Sequence, residues 1–234
     1  MTTTNVPAPF PEPDPMRLAV VREAALRRWA TKTPARWRNA PVTDTHPAIE
    51  AWVRHLFESA CRSSSGKIET GPSLVLNGWT GTGKTHAAWW AIGRLARAGV
   101  LATWEFVTAA KMYEELRPQP GRDTRARFEQ LANTPLLVLD DVGAGYKQSE
   151  WTVSVDYQLV SERYDHMRPT IITTNLPTKR PPRRDDEPLD EYERKYKRVL
   201  TDVLEDRVLS RLAEMSGGPA VWFDGPDRRR GESR

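Results

Sequence analysis

The stretch Gly78-Trp-Thr-Gly-Thr-Gly-Lys84-Thr85 constrains this chain more than any other part of its sequence. It follows a short apolar run, SLVLN (73–77), and precedes a helix-forming segment through Arg97, as the strand–G-x-x-x-x-G-K-[ST]–helix pattern requires. Glycines let successive backbone N–H groups converge on an anion in conformations that a Cβ would penalise. The helix that follows aims the positive end of its dipole at the same anion. Gly78, Trp79, Thr80, Gly81, Thr82, Gly83, Lys84, Thr85 and His86 therefore read as a phosphate cradle, with Lys84 for the β- and γ-phosphates and Thr85 for Mg2+. The competing reading is an ordinary glycine-rich turn, and the flanking strand and helix count against it.

Beyond the loop, strands expected at 100–107, 136–140, 170–175 and 220–223 alternate with helices at 108–116, 150–167 and 189–214. Apolar runs of this kind suit strands buried on both faces, so the expected fold class is α/β, a three-layer parallel sheet. Upstream, 16–30 and 47–61 carry apolar residues at helical spacing, the second with Thr45 as a candidate cap, and TPARWRNAP breaks the chain between them. Residues 1–15 hold five prolines and read as a disordered tail. The expected organisation is that tail, a helical extension over 16–65 able to bind a partner, one domain over 66–224, and a basic tail over 225–234.

Composition excludes several chemistries. Cys61 is the only cysteine, so neither an internal disulfide nor a cysteine-based zinc site is available, and a reducing cytoplasm is expected. The four histidines stand at 46, 55, 86 and 166, without ligand spacing. No apolar run approaches the roughly 20 residues that cross a bilayer. The net charge of +4 favours an anionic partner only weakly.

Two further stretches carry chemistry. In LLVLDD, Asp140 and Asp141 end an apolar strand, at the sheet edge where open α/β folds bind ligands. Asp140 is placed to hold Mg2+ and Asp141 to orient or deprotonate water, unless the pair only caps the next loop. In TIITTNLP, Asn175 ends a strand after Thr173 and Thr174; its amide can reach between a γ-phosphate and water, or the Asn-Leu-Pro can simply turn the chain. Downstream, Arg207 and Arg211 share a helix face. They can pair with Glu205, Asp206 or Glu214, or reach a neighbouring subunit's phosphate.

In this order, GWTGTGKTH, LLVLDDVG, TIITTNLP and DRVLSRL resemble the AAA+ ATPases of the DnaC/IstB group over about residues 66–224. The resemblance implies an ATP- and Mg2+-dependent ATPase with Lys84 and Thr85 as the Walker A pair, and Asp140 and Asp141 as the Walker B pair. It makes Asn175 sensor 1 and Arg211 an arginine finger supported by Arg207. It further implies a helper of DNA replication, loading a replicative helicase onto single-stranded DNA as a nucleotide-dependent homo-oligomer. The alternatives are an IstB-like helper of transposition, a P-loop small-molecule kinase with 178–200 as its lid, and an adaptor without useful hydrolysis. Little chain remains after AVWF for a helical lid. For the DNA path the resemblance points to Lys111, Arg117, Arg122, Arg125 and Arg127, with rings from Tyr113 and Phe128, diluted by Glu114, Glu115, Asp123 and Glu129; the residues alone read as a solvated helical face, with the two rings equally suited to the core.

Overall fold

The computed structural model describes residues 15–38, 46–63, 66–144, 148–218 and 220–228. The expected tail up to residue 14, the expected cap Thr45 and residues 229–234 of the expected basic tail lie outside the described residues. The chain forms two compact units, Met1–Gly71 with His86–Thr103, and Pro72–Thr85 with Trp104–Arg234.

The first unit holds α1 (Pro15–Lys32), α2 (Ala35–Arg38), α3 (Pro47–Arg62) and, from His86 onward, α4 (Lys84–Arg97). α3 buries Ile49, Trp52, Val53, Leu56, Phe57 and Ala60, a stripe at helical spacing. Pro47 stands in its first turn, and His46 caps it by accepting the Ala48 N–H at 3.2 Å. α1 buries Ala25 and Trp29. The Trp29 ring meets Trp89 edge-on at 6.0 Å and covers Gly93, where a Cβ would stand 2.9 Å from it. Arg28 donates to the Thr103 hydroxyl at 2.7 Å. The tryptophan face of α1 is thus taken up by α4, within its own chain. The expected break at TPARWRNAP contains one helical turn, α2.

The second unit is built on five strands: β1 (Leu74–Gly78), β2 (Trp104–Thr108), β3 (Leu136–Val142), β4 (Thr170–Thr174) and β5 (Val221–Phe223). All pairings are parallel, in the order β2-β3-β4-β1-β5. After β1 the chain crosses to the far edge, returns through β3 and β4 to lie beside β1, and ends on β1's other flank. β2 starts later than expected because the end of α4 uses the preceding apolar residues. Gly99 takes a φ of 83°, and Val100 N–H bonds Leu95 O at 3.0 Å, a helix-ending turn that needs glycine.

The helices of this unit are α5 (Ala109–Leu116), α6 (Thr124–Asn133), α7 (Glu150–Asp165), α8 (Leu189–Lys195) and α9 (Asp206–Ser216). Met112, Leu116, Leu137, Leu139, Leu159, Ile172 and Leu212 share their apolar core. The single helix expected over 189–214 is instead α8, a 3-10 turn at Leu200–Asp202, and α9. Val199 is extended, at φ −129° and ψ 169°, which interrupts a helix there, and it enters the core together with Leu200, Val203 and Leu204. Asp202 ties the turn by accepting the Val199 N–H at 3.1 Å and holding Arg180 at 2.6 Å.

Candidate nucleotide-binding site

Parallel strands put the carboxyl ends of β1, β3 and β4 on one edge, and the candidate groups gather there. β1 ends on Gly78, with a φ of 142° and its Cα so close to β5 that a Cβ would lie 2.0 Å from Phe223 O. No other residue fits that approach. The Thr82 hydroxyl donates to Trp79 O at 2.7 Å and tightens the loop. Lys84 is buried, and its Nζ donates to Gly78 O at 2.8 Å and Trp79 O at 2.7 Å, so the ammonium spans the loop. Trp79 stands edge-on to Trp222 at 5.3 Å, and Lys195 Nζ lies 5.6 Å from its ring centre. Thr80 is exposed, and Gly81 and Gly83 have φ values of 84° and 106°. His86 belongs to the first unit, with its ring 6.1 Å from Trp37.

The acidic pair is shaped by an irregularity in β3. Leu139 lies opposite Ile172, but Val142 lies opposite Thr174, so β3 carries one extra residue, and Asp141 has a φ of 56°. In a regular strand neighbouring side chains point to opposite faces; a bulge re-aims them. Asp140 accepts from the Thr85 hydroxyl at 3.0 Å and from the Thr173 hydroxyl at 2.6 Å. Asp141 accepts from Asn175 Nδ2 at 3.3 Å, and its N–H bonds the Thr173 hydroxyl at 3.0 Å. Thr173 therefore anchors both acidic residues. Burial pushes the Asp140 carboxyl above the usual carboxylate range, against the hydrogen bonds from Thr173 and Thr85, while the Asp141 charge adds to the rise. The Thr85 hydroxyl and the Asp140 carboxylate are adjacent hard oxygen donors. Such a pair fits Mg2+, which takes few protein ligands beside phosphate and water.

A protein-family model described as IstB-like ATP binding protein matches residues 60–211. The chain belongs to this family. Among curated protein sequences none matches. Solved structures share the fold of this IstB-like protein. A DnaC helicase loader aligns at a TM-score of 0.55 and 21% identity, over 82% of this chain and 100% of that one. DnaI aligns at 0.53 and 20% identity, over 89% and 93%. DnaA from Aquifex aeolicus, with AMPPCP bound, aligns at 0.53 and 17% identity, over 84% and 52%. The five-stranded parallel sheet has the strand order of AAA+ P-loop cores. ATP binding is the property carried by the family.

In the IstB-like chain the two candidate arginines lie elsewhere. Arg207 pairs with Glu205 and rests 3.9 Å from the centre of the Tyr157 ring on α7. Arg211 lies 5.0 Å from the Tyr157 ring and 5.7 Å from that of Tyr164, and donates to Arg207 O at 3.2 Å. Their contacts run to α7 and to their own stretch of chain, not to the loop. The expected pairing with Glu205 is realised for Arg207.

Among the candidate DNA-path residues, the two rings take the core alternative. Tyr113 is buried, with its hydroxyl 2.7 Å from both carboxyl oxygens of Asp156, and Phe128 is half-buried and packs against the same core. Arg127 is held by Glu105 at 2.9 Å and Glu115 at 2.7 Å. Lys111, Arg117, Arg122 and Arg125 are exposed, although Arg125 pairs with Glu129 at 2.9 Å. Among the described residues no helix is long and apolar enough to cross a membrane.

Sequence reasoning missed three features. Thr173 was visible only as half of a threonine doublet before Asn175. The aromatic and cationic group around Trp79 comes from residues more than a hundred positions away. Arg228, whose N–H bonds Gly81 O at 3.0 Å, and Asp227 beside it approach the glycine loop with no local signal at all.

Proposed function

We propose that this protein is a cytoplasmic ATPase that assists DNA replication by loading a replicative helicase onto single-stranded DNA. The observation that carries the reading is the edge on which Asp140 meets Thr85 while Asp141 meets Asn175. The likeness to the DnaC helicase loader over the whole of its solved chain supports the choice of client.

In the proposed reaction Lys84 and the loop N–H groups hold the β- and γ-phosphates. Mg2+ held by Thr85 and Asp140 would offset the charge on the bridging and γ-oxygens. Asn175 and Asp141 orient a water, whose oxygen bonds to the γ-phosphorus as the bond to the β–γ bridging oxygen breaks. Asp141 takes the proton, and ADP and phosphate leave. A second copy of the chain supplies Arg211, with Arg207 beside it, to the γ-phosphate. Such an arginine raises turnover by about 10³–10⁵. The exposed cations Lys111, Arg117, Arg122 and Arg125 face the DNA backbone.

ATP binding and turnover, measured with and without single-stranded DNA, test this. Lys84→Ala should abolish ATP binding, and ordinary affinity in that variant overturns the site. Arg211→Ala should keep binding and lose the turnover gained on assembly; full assembled turnover overturns the trans role. The family match favours a second reading, an ATP-dependent helper of transposition. Filament growth on duplex DNA, in preference to single strands, would decide for it.

A further inference from the structure

The chain leaving β5 does not turn away from the glycine loop but runs across it. Phe223 pairs in register with Gly78, and its carbonyl accepts the Trp79 N–H at 3.3 Å. Gly225, with a φ of 113°, bends the chain, and Arg228 N–H then bonds Gly81 O at 3.0 Å. At that point Asp227 lies against the loop: a Cβ on Gly81 would stand 1.9 Å from Asp227 Oδ1 and 2.2 Å from its Cγ. A Cβ on Gly83 would stand 3.6 Å from an Arg228 guanidinium nitrogen. Asp227 is half-buried by this contact, while Gly225, Pro226 and Arg228 are exposed.

We propose that Asp224–Arg228 is a gate on the phosphate loop, closed by the Asp227 carboxylate and opened by the nucleotide it excludes. The proposal rests on the nucleotide reading of that loop. A loop whose N–H groups converge on an anion accepts a carboxylate in the same place. Carboxylate and triphosphate then compete twice, for volume beside Gly81 and through like charge. The gate is built to yield. It hangs from β5, an edge strand of three residues with β1 as its one neighbour in the sheet, and Trp222 on that strand is 37% exposed.

The apparent dissociation constant of a ligand that needs the open state is the intrinsic one divided by the open fraction. A gate closed about nine-tenths of the time therefore weakens ATP binding about tenfold. Asp227→Asn keeps the shape and removes the charge, and Asp227→Ala removes both.

The test is titration of the full-length wild type and both variants with ATP–Mg2+ by calorimetry, with amide exchange followed over residues 222–228. The expected result is tighter binding in both variants, about tenfold in Asp227→Ala, and faster exchange of 222–228 in wild type once ATP is bound. Affinities equal to or weaker than wild type overturn the gate, as does slower exchange on binding, which would make the segment a clamp on the nucleotide. If wild type binds ATP and only the gate outcome fails, the nucleotide reading stands. If neither wild type nor variants bind, that reading falls and the gate falls with it.

Discussion

Asp156 on α7 is a carboxyl group shut inside the core, and its ionisation should be visible in the stability of the whole second unit. It is 6% exposed, and its two oxygens each lie 2.7 Å from the Tyr113 hydroxyl on α5. Burial pushes its pKa up to about 7 from 3.8, although the Tyr113 hydrogen bond pulls the other way. Among the described residues, the one guanidinium lining the small cavity beside it, that of Arg198, is turned to Gly143 O at 2.9 Å. Because the folded pKa lies above the unfolded one, the folded state binds the proton more tightly. The stability this provides is whole below about pH 4, declines as pH rises, and is gone above about pH 7. At about 1.4 kcal/mol per pH unit, the full loss is about 4 kcal/mol. Between pH 5 and pH 8.5 about 3 kcal/mol of it is lost. Asp156→Asn removes the titration and nearly preserves the shape. Urea unfolding of both proteins at pH 5, 7 and 8.5 isolates the effect, since every other group cancels in the difference. The variant should gain about 3 kcal/mol on wild type from pH 5 to pH 8.5, whatever constant offset its amide adds. Tyr113→Phe should steepen the wild-type decline, because it removes the bond that favours the carboxylate. Parallel stability curves for wild type and Asp156→Asn would refute the reasoning.

Two other substitutions test the frame and the site. Arg163 is 1% exposed, and its guanidinium donates to the carbonyls of Leu131, Ala132, Thr134 and Pro169 and to the Thr170 hydroxyl. Arg163→Met should cost about 3–5 kcal/mol in urea unfolding, since it strips partners from buried carbonyls at the end of α6; a loss under 1 kcal/mol would contradict that account. Thr173→Val removes the hydroxyl that joins Asp140 to the Asp141 backbone. It should leave ATP affinity nearly unchanged and lower Mg2+ affinity or turnover about 10–100-fold. A magnesium titration of turnover checks it, and an unchanged curve would count against the anchor.

Much of the second unit was legible because its signals are local. A glycine loop between strand and helix, and apolar runs ended by Asp140 or Asn175, need no knowledge of distant contacts, and parallel pairing brings their carboxyl ends to one edge. Features set by tertiary contact were not legible. The segment 189–214 keeps helical spacing throughout, but the backbone is extended at Val199, where the chain enters the core, and the helix breaks there. Tyr113 and Phe128 look identical in sequence whether they stack on a base or pack inward; the presence of Asp156 forty-three positions later decides for Tyr113. Asp227 offers no pattern, because its importance comes only from what it touches.

The bulge at Asp141 bears on a chemical point that length alone would misjudge. An aspartate is one methylene shorter than a glutamate, so where its carboxyl lies depends more on the backbone that carries it. β3 does not run straight: the extra residue and the φ of 56° turn the backbone itself toward Asn175. The left-handed region is open to aspartate and asparagine at low cost, because their short polar side chains bond locally, and it is less open to longer side chains. Here the turned backbone sets the Asp141 carboxyl 3.3 Å from Asn175 Nδ2, and Thr173 holds the turn by bonding the Asp141 N–H. In the proposed reaction the shorter acid and the left-handed turn are therefore one adaptation. A glutamate placed at 141 would gain a methylene but strain the conformation that aims the carboxyl.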